Sequence, residues 1–117
     1  MKVLLANPVY RHDINEKEEH FYIRAGSRWP FSLVKQKTRK SLYMPFPFYL
    51  AYTAALLEGE NNVEVFVEDS IALNDTESLF MEKVFSLAPD IILFETATGC
   101  IRHDVDMAVR IKERIPG

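Results

Sequence analysis

The chain has a single cysteine, Cys100. That excludes an internal disulfide and any multi-cysteine zinc or iron–sulfur site built within these residues. Positive charge is not in excess. The formal net charge is −3, which gives no general attraction to nucleic acid or to an anionic membrane surface. No apolar run is long enough to span a bilayer. The amino terminus has one lysine and a short apolar stretch stopped by Asn7–Pro8, which is not a secretory signal, so the expected location is the cytoplasm. No G-x-G-x-x-G and no Walker A lysine loop occur, which disfavours a dinucleotide or a nucleoside triphosphate. Internal repeats and low-complexity segments are also missing.

What is present is a core. Apolar residues make up 48% of 117 residues, enough for one domain with a buried centre. Lys2–Pro8 reads KVLLANP. Its unbroken apolar run suits a strand buried on both faces of a parallel sheet, and Asn7–Pro8 stops it. A long connection follows, from Val9 to about Met44. Its first half is acidic and its second half is basic and aromatic, with Tyr22, Trp29 and Phe31. Connections of this length in compact domains are usually lids, binding loops or disordered segments, so this one is expected to be either a solvated excursion with a few anchoring aromatics or a lid over the crevice with those aromatics buried. Basic and aromatic residues together also suit single-stranded nucleic acid, but the acidic half argues against it.

A first helix is expected after Pro45 and Pro47, carrying Leu50, Thr53, Ala54, Leu56 and Leu57 on its apolar face and ending at Gly59. Val63–Asp69 alternates apolar and charged residues, as a half-exposed edge strand does. The second helix is expected over Thr76–Leu87, capped by Asn74 or Asp75, with Leu79, Phe80, Val84 and Leu87 buried. Ile91–Phe94 is the second unbroken apolar run. The third helix runs from about Arg102 to Arg114, its stripe formed by Ile101, Val105, Ala108, Ile111 and Ile115.

The order is β–connection–α–β–α–β–α, an α/β class with a Rossmann-like or flavodoxin-like parallel sheet of spatial order 2-1-3. In that order the apolar third strand lies at an edge, where it is expected to be covered by another copy or by the connection. Pro116–Gly117 stand where a fourth strand is expected to begin. Residues 1–117 are therefore expected to be a partial domain, the amino-terminal fragment of a larger protein.

Ligands of open α/β sheets bind at the carboxyl ends of the strands. Here those ends carry Asn7–Tyr10, Asp69–Ser70 and Thr96–Gly99. Thr96 and Thr98 suit ligand amides or phosphate, or else a cap for the third helix. Glu95 is a ligand acceptor or a solvated strand end. Cys100 is an activated thiol or a small buried residue. A phospho-acceptor receiver would need clustered acids after the first strand, where Asn7–Pro8 stand. His12, His20 and His103 are far apart in sequence and read as surface residues.

KVLLANP, PFPFYLAYTAALLE, VEVFVEDS, PDIILFETATG and a helix ending IKERIPG together resemble the amino-terminal cobalamin-binding domain of radical S-adenosylmethionine proteins. The nearest type is the anaerobic magnesium-protoporphyrin IX monomethyl ester oxidative cyclase group. The resemblance covers the chain outside the long connection. It implies cobalamin held by Asn7, Pro8, Asp69, Thr96, Ala97 and Thr98. It also implies a downstream radical S-adenosylmethionine domain as partner, holding S-adenosylmethionine and a [4Fe-4S] cluster. Where that family usually has a glycine at the helix entry, this chain has Tyr49. The D-x-H-x-x-G signature of the other large cobalamin family is not intact, since Tyr10 and Asn15 flank His12. The alternative expectation is a standalone flavodoxin-like ligand-binding or interaction domain. Neither nucleic acid nor a membrane is an expected partner; self-association through the third strand is.

Overall fold

The computed structural model describes residues 1–8, 46–73 and 75–115 in full, and the backbone alone of residues 11–15, 18–22 and 35–36. The fold is built outward from β1 (Lys2–Asn7). Val3, Leu4, Leu5 and Ala6 are all buried, so this strand has no solvent face. It is the centre of a three-stranded parallel sheet, flanked by β5 (Glu64–Asp69) and β6 (Ile91–Phe94) in spatial order β5-β1-β6. This is the flavodoxin-like 2-1-3 order that the patterning predicts. The register sets Asn7 beside Asp69 and Ala6 beside Phe94.

Alternation along β1 sorts its side chains onto two layers. Val3 and Leu5 meet Leu50 of α1 (Phe48–Leu57), with Ala54, Leu57, Val63 and Val65 around them. Leu4 and Ala6 meet Phe80, Met81 and Val84 of α2 (Glu77–Leu87) and Met107 and Ile111 of α3 (Ile101–Arg114). Fully burying one such side chain contributes about 1.5–3 kcal/mol. Because both faces are covered, β5 does not divide into one wet and one dry face: Val65 and Phe66 are both half-buried, on opposite layers, and Val67 is exposed.

Several local expectations are corrected. The cap of α2 is Thr76, whose hydroxyl accepts from the Leu79 amide at 3.1 Å, rather than Asn74 or Asp75. Leu79 is exposed and Met81 takes its place in the buried stripe. Gly59 follows the α1 cap residue Glu58, as expected, though not in the left-handed region; among the described residues Asn62, at φ 72°, and Ala88, at φ 47°, are the non-glycine residues that adopt it. On α3 the buried positions are Asp104, Met107 and Ile111, while Ile101, Val105 and Ala108 are exposed. The helix is turned so that Asp104, held by polar partners, faces inward. On α1, Leu56 is exposed, so its apolar face is narrower than expected.

The connection after β1 is not wholly irregular. It contains β2 (Arg11–Asn15), β3 (Glu18–Tyr22) and β4 (Lys35–Gln36), a separate antiparallel sheet of order β2-β3-β4. RHDIN and EEHFY hold too few apolar residues to display a period of two. The lid expectation for Tyr22, Trp29 and Phe31 lies outside the described side chains. Among the described residues, no helix is long and apolar enough to cross a membrane.

Candidate functional site

The carboxyl ends of the parallel strands bring three groups together. On β1, Asn7 is only 1% exposed. Its Nδ2 donates to Asp69 Oδ1 at 3.0 Å across the β1–β5 pair. Asp69 Oδ1 also accepts from the Ala72 amide at 3.2 Å, which closes the turn after β5. Asn7 Oδ1 is buried and has no hydrogen-bond partner among the described residues. A buried acceptor left in this state costs about 1–3 kcal/mol, and such an atom in a native fold calls for an explanation. The strand pairing continues past β6, where the Glu95 amide donates to Ala6 O at 3.1 Å. Asp69, Asn7 and Glu95 therefore form a row across the three strand ends.

The second group is the loop from β6 to α3. The Thr96 hydroxyl donates to Asp104 Oδ2. Asp104 is 4% exposed, and its other oxygen faces His103 Nδ1 at 3.4 Å. His103 Nε2 faces Glu77 Oε2 at 3.1 Å, and Arg110 Nη1 donates to Glu77 Oε1 at 2.5 Å. A continuous polar chain thus runs from α2 through α3 to Thr96. Burial pushes the Glu77 carboxyl up, but hydrogen bonds from Arg110 and His103, with their charge, hold it below the usual carboxylate value.

The third group lies after β5. Lys83 Nζ donates to Asp75 Oδ2 at 2.6 Å and to Glu68 Oε1 at 2.7 Å. The Ser70 hydroxyl donates to the same Glu68 oxygen at 3.3 Å. Burial raises the Asp75 carboxyl; the hydrogen bonds from Lys83 and its neighbours, with the Lys83 charge, more than offset this and hold it low. The hydrogen bonds to Asp75 and Glu68 raise the Lys83 ammonium.

Of the residues expected from the sequence, Asn7 and Asp69 are bonded to each other and Pro8 is buried beside them. Thr96 is exposed but tied to Asp104. Ala97 is half-buried and its carbonyl accepts from the Cys100 amide at 2.8 Å, while Thr98 is exposed. Neither threonine caps α3; its cap residue is Cys100, which is fully buried, as a small core residue is. Asp104, His103 and Glu77 were missed as site residues. Asp104 sits in a first helical turn, where an acid is expected for the helix dipole alone. His12 and His20, eight residues apart, stand opposite each other in the β2–β3 register.

A cavity of about 430 Å³ lies elsewhere, between β6 and α3, lined by Ile92, Phe94, Ala108, Ile111 and Ile115 with Asp90 and Lys112. It is continuous with the hydrophobic core and lacks the converging polar groups of the strand ends. Among the described residues, no three His, Cys, Asp or Glu side chains are arranged to hold a metal ion. The fold and the polar strand ends define an α/β domain of flavodoxin-like topology. Compared with protein-family models, curated proteins and solved structures, the chain matches none.

Proposed function

We propose that this domain is a cofactor-binding module. It carries cobalamin over the carboxyl ends of its strands for a cytoplasmic radical S-adenosylmethionine enzyme of cyclase or methyltransferase type, and is not catalytic alone. The observation that carries the reading is Asn7: a buried amide at the end of the central strand whose Oδ1 has no partner among the described residues. The corrin ring of cobalamin is edged with primary amides, and an acceptor row at Asp69, Asn7 and Glu95 suits their N–H groups. Asn7, Pro8, Asp69, Thr96, Ala97 and Thr98 would hold the cofactor. When bound, cobalamin supplies the cobalt chemistry, while S-adenosylmethionine and the [4Fe-4S] cluster belong to a downstream domain. The chain's own residues bind and orient.

β6 supports a module that works against another segment. Ile91 and Leu93 are 42% and 41% exposed on an apolar edge strand, a pattern that ordinarily marks a pairing surface. The same observation favours a second reading, a standalone flavodoxin-like interaction domain that self-associates through β6. Titration with hydroxocobalamin separates the two. The module reading predicts a saturable change in corrin absorbance that Asp69→Ala weakens; the interaction reading predicts none.

A further inference from the structure

Helix α1 has no charged face. From Phe46 to Leu57 the chain carries no charged residue. The Thr53 hydroxyl is turned back onto the helix, donating to Tyr49 O at 2.8 Å. A helix that is apolar all round is ordinarily buried on all sides. The covered side of α1 is that of Leu50, Ala54 and Leu57, which pack with Val3 and Leu5 of β1 and with Val63 and Val65. With 3.6 residues per turn, Phe48 and Tyr52 stand on the opposite side, pointing away from the sheet, with Leu56 at their flank. Phe46, Phe48, Tyr52 and Leu56 are 50% to 75% exposed. Phe46 meets Phe48 edge-on at 5.1 Å between ring centroids, and Phe48 stacks on Tyr52 at 6.4 Å. This aromatic row is a pre-formed ridge, which loses little rotamer freedom when it is covered.

An apolar trough lies beside the helix. Ile91 stands next to Val3 and Leu93 next to Leu5 in the parallel register, so both point to the α1 side of the sheet. There α1 packs over β1 and β5, and among the described residues no β6 side chain joins that cluster. Ile91 and Leu93 are left as an exposed floor.

We propose that a second copy of this chain covers both features at once. In a two-fold pair, the Phe48–Tyr52–Leu56 ridge of each α1 lies over Ile91 and Leu93 of the other copy's β6, and the two α1 helices lie side by side between the two sheets. Ridge and trough belong to one face, which is therefore self-complementary, as a closed two-fold contact demands. With aromatic side chains offering about 150–250 Å² each, the ridge and floor expose on the order of 600 Å² per copy, so a pair buries up to about 1,200 Å², the lower end of a specific interface. Neither feature carries a charge, so none is buried unpaired. A membrane surface is a poorer match, because an interfacial helix sets its apolar face against a cationic one and α1 has no cation. The pairing uses the α1 side of β6 rather than its backbone edge, and it is independent of any ligand at the strand ends.

Sedimentation velocity of the full chain tests it. An interface of this size predicts a monomer–dimer equilibrium with Kd on the order of 10⁻⁵ M. Tyr52→Lys and Leu93→Glu each set a charge into the apolar contact and should weaken the dimer about a hundredfold. Both positions are exposed in the monomer, so urea unfolding should stay close to native. Mixing the two variants brings the new lysine against the new glutamate at one contact and leaves the other contact native, so the mixture should form a heterodimer that neither variant forms alone. Val109→Lys, exposed on α3 across the sheet, should leave the dimer intact. A chain that stays monomeric, with or without binding to anionic phospholipid vesicles, would overturn the pairing. So would a dimer that Tyr52→Lys leaves untouched, which edge pairing along β6 predicts, or folded variants whose mixture fails to associate.

Discussion

Replacing Lys83 by Met tests how the strand-end electrostatics support the fold. The substitution keeps much of the aliphatic stem and removes the ammonium that reaches Asp75 at 2.6 Å and Glu68 at 2.7 Å. The Asp75 side chain is 7% exposed and that of Glu68 15% exposed. Breaking a fully buried pair leaves an uncompensated charge and costs about 3–5 kcal/mol. The Lys83 side chain is itself 36% exposed, so water can replace part of what it gives. Discounting for that access leaves about 1–2 kcal/mol, or a fall in Tm of about 5–10 °C for a domain of this size. The pH dependence is the sharper signature. Asp75 is held below its ordinary 3.8, so its contribution is present above that value and lost as pH falls through the lower folded value. Lys83 is raised above its ordinary 10.5, so its contribution is present below that value and lost as pH rises through the higher folded value. Urea unfolding of the native chain and of Lys83→Met should differ across the neutral range, and the gap should close at the acid end. A gap that persists unchanged below pH 3, or no gap at neutral pH, would refute the reasoning.

Thr76→Ala removes the acceptor for the Leu79 amide and should cost about 1 kcal/mol in urea unfolding, with the Glu77–Arg110 pair intact. Asn7→Leu removes the bond to Asp69 and the buried Oδ1 together, so its effect on stability should stay within about 1 kcal/mol in urea unfolding while the hydroxocobalamin response weakens. A loss of several kcal/mol would make Asn7 a structural residue instead. Leu93→Lys places a charge on the exposed face of β6 and should lower any self-association seen by analytical ultracentrifugation, with little change in monomer stability.

The sequence made the parallel sheet legible because its two unbroken apolar runs, Val3–Ala6 and Ile91–Phe94, differ so plainly from the alternating Val63–Asp69. Burial on both faces leaves that mark whatever the later packing. The helical faces were less legible. On α3, apolar spacing pointed to Ile101 and Val105, but a charged residue, Asp104, took the inward position because Thr96 and His103 meet it there. Hydropathy cannot rank a buried carboxylate above an exposed valine. Part of the site was legible from topology alone: Asn7, Asp69 and Thr96 stand at strand ends, and two of them are bonded together. The polar chain behind Thr96 was not, because Glu77 and His103 are 26 residues apart and meet only when α2 packs beside α3. The β2–β3 pairing was hidden because RHDIN and EEHFY hold too few apolar residues to display a period of two.

The central claim is that the strand ends form a cobalamin crevice, and hydroxocobalamin titration of this chain tests it most directly. On the proposed reading the strand-end residues would contact the cofactor from one side, and affinity for a large ligand comes from enclosing most of it. The account therefore predicts weak, saturable binding, with Kd on the order of 10⁻⁴ M, read from corrin absorbance and heat. Asp69→Ala and Thr96→Val should each weaken it further. No change in absorbance or heat at millimolar cofactor, or binding that both substitutions leave untouched, would contradict the account.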